Sequence, residues 1–218
     1  MNSSFQAVLW DFGGVFTSSP FDAFNRYETQ HGLPRDFIRG VNSVNPEFNA
    51  WAQFESSRLS PEEFDIAFEA ETRAAGYAVP GSIVIGMLSG VIRPRMVEVL
   101  KICKRHYRVA CLTNNVKAGE GPGMARSVED AQRVREIMQL FDVVIESRNE
   151  GVRKPDPRFY RLACERLQIE PARAVFLDDL GINLKPAREL GMQTIKVESE
   201  SQAIAALSAI LDLDFVAV

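Results

Sequence analysis

Past residue 91 the chain alternates short apolar runs with stretches of helical periodicity. The runs are "RVACLT", "DVVIES", "AVFLDD" and "QTIKV", and a fifth, "AVLWDF", lies near the N-terminus. Each is too apolar to keep a wet face, which predicts strands covered on both sides in a parallel sheet with crossover helices. Helix signals lie between them. In "DPRFYRLACERLQI" Asp156 is placed to cap and Pro157 to fill the first turn, and "NLKPARELG" closes on Gly191. The expected fold is α/β, a doubly wound, Rossmann-like parallel sheet.

Residues 18–90 break this rhythm. They are helical in pattern, rich in aromatics and free of strand runs. In "LSPEEFDIAFEAETRAAG" Ser60 is the expected N-cap, with Pro61 behind it and Glu63 completing a capping box. Phe64, Ala67, Phe68 and Ala75 are assigned to one face. "FDAFNRYETQHG" and "PEFNAWAQFESS" read alike, so a small helical bundle is expected between the first strand and the rest of the sheet. The predicted domains are therefore 1–17 with 91–218 as the α/β core and 18–90 as the insert. "NNVKAGEGPGMARS", with three glycines and a proline, predicts a loop after the second strand, either gating a site or plain surface.

Charge narrows the partners. A formal net charge of −4 without a Lys/Arg stripe argues against nucleic acid or an anionic membrane. Lys101, Lys104, Arg105 and Arg108 form the nearest basic cluster and are placed at a helix end, where the dipole favours cations. No apolar run reaches the 18 or so residues that a span needs, and "MNSSFQ" lacks a basic flank and a cleavage signal, so the expected location is cytoplasmic. Cys103, Cys111 and Cys164 make no CxxC pair and read as buried reduced thiols. His31 and His106 lie far apart, so a bound metal must be held by oxygen.

The chemistry gathers at strand ends, where loops and helix N-termini of an open parallel sheet converge. One strand ends in Asp11, one in Thr113 and Asn114, and one in Asp178 and Asp179; Lys154 precedes a helix start in "GVRKPDP". Together they supply a carboxylate nucleophile, a hydroxyl, a fixed cation and an acidic pair for a hard divalent ion such as Mg²⁺. A carboxylate attacking a phosphoryl dianion needs that positive charge to offset repulsion.

"LWDFGGVF", "CLTNN", "RKPDPRFY" and "VFLDDLGINLKPARELGM" resemble the four motifs of the haloacid dehalogenase superfamily, and most closely the phosphatase domain at the N-terminus of soluble epoxide hydrolases and its bacterial relatives. The resemblance implies that the insert is a helical cap and that Asp11 is the nucleophile. It gives Thr113 and Asn114 contacts to phosphoryl oxygens and makes Lys154 a charge clamp. Mg²⁺ is held by Asp179 with Asp178 and Asp11, and by the backbone carbonyl of Gly13. Asn183 supports the metal and phosphate end, although capping of the following helix accounts for it equally well.

Position 13 departs from the family pattern. Most phosphatases of this kind carry there a second aspartate that protonates the leaving oxygen and later activates water. Gly13 keeps the carbonyl and loses the proton donor. The expected activity is Mg²⁺-dependent hydrolysis of a small phosphorylated metabolite through an aspartyl-phosphate, either favouring good leaving groups or borrowing an acid from the cap or from water. Two alternatives stay open: a metal-independent dehalogenase, whose family members also lack the second acid, and a binding module that has lost turnover. Phe16, Phe48, Trp51, Phe54 and Arg58 are offered by the cap without singling out a substrate. Both monomer and homodimer fit the sequence.

Overall fold

The structure is a computed structural model and describes residues 4–88, 90–115 and 128–215. Its sheet has five parallel strands, β1 (Ala7–Trp10), β2 (Arg108–Thr113), β3 (Val143–Glu146), β4 (Ala174–Asp178) and β5 (Gln193–Lys196), in the order β3-β2-β1-β4-β5. All five expected strands form. The chain runs outward from β1 to β3 on one side and resumes at β4 on the other, so the order reverses beside β1. That reversal is where an open α/β sheet leaves a crevice.

Side-chain alternation divides the strands between two apolar layers. Val8, Trp10, Val109, Cys111, Val175 and Leu177 face one layer. There they pack on α6 (Pro94–Lys104), α7 (Val128–Met138) and α11 (Glu200–Leu211). Ala7, Leu9, Ala110, Leu112 and Phe176 face the other, against α9 (Pro157–Leu167) and α10 (Gly181–Glu189). A single turn of helix, α8 (Ser147–Glu150), follows β3. Asp156 caps α9 by accepting from the Arg158 N–H at 2.9 Å, and Pro157 opens the helix, as the sequence signals predict.

Helices α1 (Pro20–Gln30), α2 (Phe37–Ser43), α3 (Ala50–Glu55), α4 (Pro61–Ala74) and α5 (Gly81–Met87) form the insert around their own apolar centre. The Phe54 and Phe64 rings stack there with centroids 4.3 Å apart, and Phe68 adjoins Phe64. The capping box of α4 is formed: the Glu63 N–H donates to Ser60 Oγ at 3.1 Å and the Ser60 N–H to Glu63 Oε2 at 2.7 Å. Asp36, at the start of α2, makes no side-chain cap. The buried Glu28 carboxylate instead accepts the N–H groups of Asp36 and Ile38 at 2.8 and 2.9 Å. An isolated antiparallel bridge between Thr17 and Ile92 brings together the chain segments that enter and leave the insert.

Four sequence expectations need correction. Ala75 is exposed because α4 ends at Ala74, and Thr72, one turn after Phe68, takes its place in the apolar centre. Arg108 begins β2 rather than ending a helix; Lys101 and Lys104 occupy the last turn of α6. β5 is an edge strand and leaves Gln193 and Lys196 exposed. Phe16 belongs to the sheet's apolar layer, not to the inserted helices. The three cysteines are free and buried. Of the glycine-rich loop only Asn114 and Asn115 are among the described residues.

Candidate active site

Register places the acids side by side. Trp10 pairs with Leu177, and the Asp11 N–H continues the ladder to the Leu177 carbonyl at 2.8 Å, which brings Asp11 level with the end of β4. Carboxylate oxygens of Asp11, Asp178 and Asp179 all lie within 4.8 Å of one another. Lys154, fully buried, places Nζ 2.9 Å from Asp11 Oδ1 and 2.7 Å from Asp178 Oδ2. Its backbone is held by one side chain: Asn114 Oδ1 accepts the Lys154 N–H at 2.9 Å and Asn114 Nδ2 donates to the Lys154 carbonyl at 3.0 Å. The Lys154–Pro155 peptide is cis.

Asp178 is saturated. Besides Lys154 it accepts the Leu180 N–H at 2.8 Å and Asn183 Nδ2 at 3.0 and 3.1 Å. Asn183 therefore lies inside α10 and does not cap it; Leu180 occupies the cap position. The Tyr160 hydroxyl holds the Asn183 carbonyl at 2.7 Å. Asp179 is freer, receiving a 3.3 Å bond from Ser19 Oγ at the start of the insert.

The two glycines after Asp11 differ. Gly14 has φ +72°, and a Cβ there would come within 2.2 Å of Asp179 Oδ2, so a side chain at this position is strained and displaces the Asp179 carboxylate. Its carbonyl accepts from Arg93 Nη1 at 2.8 Å. A Cβ on Gly13 would meet nothing within 4 Å, so the space beside the nucleophile is open.

Three carboxylates share one ammonium in a largely buried cluster. Burial raises Asp11 well above the ordinary carboxylate range, opposed by Lys154 and reinforced by Asp178 and Asp179. Burial and the neighbouring Asp178 push Asp179 up to about 6. For Lys154 burial acts to lower the pKa, but Asp11 and Asp178 together outweigh it and hold the amine above its usual range. The cluster carries more negative than positive charge, and all its donors are oxygen. That is the donor set of a hard divalent cation such as Mg²⁺.

These groups sit at the base of a cavity of about 880 Å³, also lined by Thr113 and Asn114 and, from the insert, by Phe21, Arg39, Trp51, Glu55 and Arg58. Thr113 is buried at the end of β2. Phe48 is 70% exposed, and Phe54 is packed inside the insert. Sequence reasoning missed Glu55 and Arg153, which form an ion pair between α3 and the loop before Lys154, and Ser19, whose contact with Asp179 spans 160 positions. Ser19 before Pro20 carried a helix-start signal. Nothing distinguished Glu55 from any acid on an amphipathic helix.

Known proteins are similar to this chain over nearly its whole length. The chain is 34% identical to the acyl-CoA dehydrogenase family member 10 of Mus musculus over 95% of its length, and 28% identical to the bifunctional epoxide hydrolase 2 of the same species over 96%. It spans 19% and 39% of those longer proteins. It is 28% identical to the sesquiterpene phosphatase astK of Aspergillus oryzae, covering 88% of this chain and 89% of that one. A HAD family enzyme of Bacteroides thetaiotaomicron, solved with magnesium and inorganic phosphate, shares the fold with a TM-score of 0.55 at 21% identity, over 90% of this chain and 98% of that one. Residues 5–191 match the profile of the haloacid dehalogenase-like hydrolases, and the chain belongs to that family of hydrolases.

Proposed function

We propose that the protein is a Mg²⁺-dependent phosphatase that hydrolyses a small phosphorylated metabolite through an aspartyl-phosphate on Asp11. The observation that carries the reading is the cluster of Asp11, Asp178 and Asp179, in which Lys154 pairs with Asp11 and Asp178. A dehalogenase working without metal has no use for a third carboxylate, whereas a divalent cation balances it. Phosphatases among the relatives, and a neighbour solved with magnesium and phosphate, support the phosphatase reading, although a haloacid dehalogenase is also among the relatives.

Asp11, Asp179 and the Gly13 carbonyl would hold Mg²⁺, with Asp178 orienting the cluster. The bound ion supplies positive charge that lowers the repulsion between a carboxylate and a phosphoryl dianion. Asp11 Oδ then attacks phosphorus, and Lys154, locked by Asn114, neutralises charge on the nucleophile and the phosphoryl oxygens. The Thr113 hydroxyl and the Asn114 N–H bind the remaining oxygens; the Asn115 N–H is engaged by Ser147 Oγ. The Asn114 side chain is engaged with the Lys154 backbone, so its contribution to phosphate binding comes through its main chain. The inserted helices act as the cap over the leaving group.

The test is phosphate release from aryl phosphates. Activity should require Mg²⁺, vanish with chelator, and fall by about three orders of magnitude or more in Asp11→Asn, since the substitution removes the nucleophile itself. Halide release from 2-haloacids indifferent to chelator would overturn the assignment.

A further inference from the structure

The missing acid at position 13 has a candidate replacement in the cavity wall. Among the described residues that line the cavity, five are carboxylates: Asp11, Glu47, Glu55, Asp156 and Asp179. Asp11 and Asp179 belong to the nucleophile and metal cluster. Asp156 caps α9, is held by Arg158, and has a pKa lowered chiefly by that contact. Glu47 is exposed. Glu55 is different: its side chain is only 13% exposed, at the last residue of α3, where it is paired with Arg153.

A carboxylate largely buried on the cavity wall is costly to desolvate, and its ion pair with Arg153 ties α3 to the loop before Lys154. Its partner Arg153 is the residue next to Lys154, whose ammonium holds Asp11. The two ion pairs thus hang from α-carbons about 3.8 Å apart. Glu55 and Asp11 line the same cavity; Lys154 holds Asp11 directly and acts on Glu55 only through its charge. Arg153 also donates to the Pro46 carbonyl at 3.2 Å, which fixes its guanidinium against the cap. The open space over Gly13 leaves the leaving-group side free for a proton donor from above.

We propose that Glu55 protonates the leaving oxygen and then activates the hydrolytic water, supplying from the cap the acid that Gly13 cannot. The proposal rests on the phosphatase reading above. In the first step Asp11 Oδ bonds to phosphorus, the bond from phosphorus to the ester oxygen breaks, and that oxygen takes the Glu55 proton to leave as an alcohol. In the second, Glu55 carboxylate takes a proton from water as its oxygen attacks phosphorus. The bond from phosphorus to Asp11 breaks, releasing phosphate and restoring both carboxyl groups. Burial raises the Glu55 pKa against the pull of Arg153 and Lys154, consistent with a group that carries a proton to the reaction.

The experiment measures kcat/KM with Mg²⁺ across substituted phenyl phosphates of rising leaving-group pKa, none of which carries a hydroxyl for Glu55 to bind. Glu55→Gln should lose roughly 10²- to 10⁴-fold with the poorest leaving group and far less with p-nitrophenyl phosphate, steepening the dependence. Inhibition by inorganic phosphate should be unchanged. Gly13→Asp should gain less than about tenfold in the parent and restore the shallow dependence in Glu55→Gln, since one acid suffices. A uniform loss across the series, or a large gain from Gly13→Asp in the parent, overturns the role of Glu55 and leaves the phosphatase reading standing. A parent that releases no phosphate from any member overturns both.

Discussion

At the scale of single residues, the two glycines after the nucleophile show how one sequence feature serves two ends. Gly14→Ala forces a Cβ into the Asp179 carboxylate at a positive φ. It should cost about 1–3 kcal/mol of stability, seen in chemical unfolding, and weaken Mg²⁺ binding because Asp179 must move. Gly13→Ala meets open space and should cost well under 1 kcal/mol. Lys154→Met leaves Asp11 and Asp178 buried without a cation. A loss of about 3–5 kcal/mol in the metal-free protein is expected, partly recovered on adding Mg²⁺. Asp11, Thr113 and the Asp178–Asp179 pair could be read from the chain because each ends a run that must be buried, and Lys154 because it precedes a helix start. Glu55 could not, since its meaning depends on Arg153 and on the empty space at Gly13, neither of which is visible from α3 alone.

At the scale of elements, the central strands were legible because wholly apolar runs leave only one way to be covered. The edge was less so: Gln193 and Lys196, on opposite faces of β5, are exposed at its two ends, while Ile195 between them is buried. The register between β1 and β4, which brings Asp11 beside Asp178, is a tertiary fact that alternation narrows but does not fix. Helix α4 shows local and global signals agreeing, with its capping box formed and Phe64, Phe68 and Thr72 buried at successive turns. Ser60→Ala should lower stability by about 1 kcal/mol through the lost cap while leaving turnover of an aryl phosphate intact. Loss of activity without loss of stability would show that α4 acts on the site.

At the scale of the whole molecule, the acid cluster ties folding to pH and to metal. Burial pushes Asp179 up to about 6 in the folded protein, whereas it ionises near 4 when unfolded. Over that interval the folded protein retains protons the unfolded chain has released. This contribution to stability is therefore fully present below about 4 and is lost as pH rises through about 6. A divalent cation replaces those protons. Thermal melts should show Mg²⁺ raising Tm clearly near pH 7.5 and little near pH 5. Equal shifts at both values would mean that the ion binds elsewhere.

The bridge between Thr17 and Ile92 carries a consequence for how such a protein changes over time. Both junctions of the inserted helices sit side by side, and the helices bring their own packed interior with them. The segment enters and leaves at one seam, and its further ties to the core run through Ser19 to Asp179 and through Glu55 and Pro46 to Arg153. New chemical preferences can thus be acquired by changing one module while Asp11, Asp178 and Asp179 stay at their strand ends.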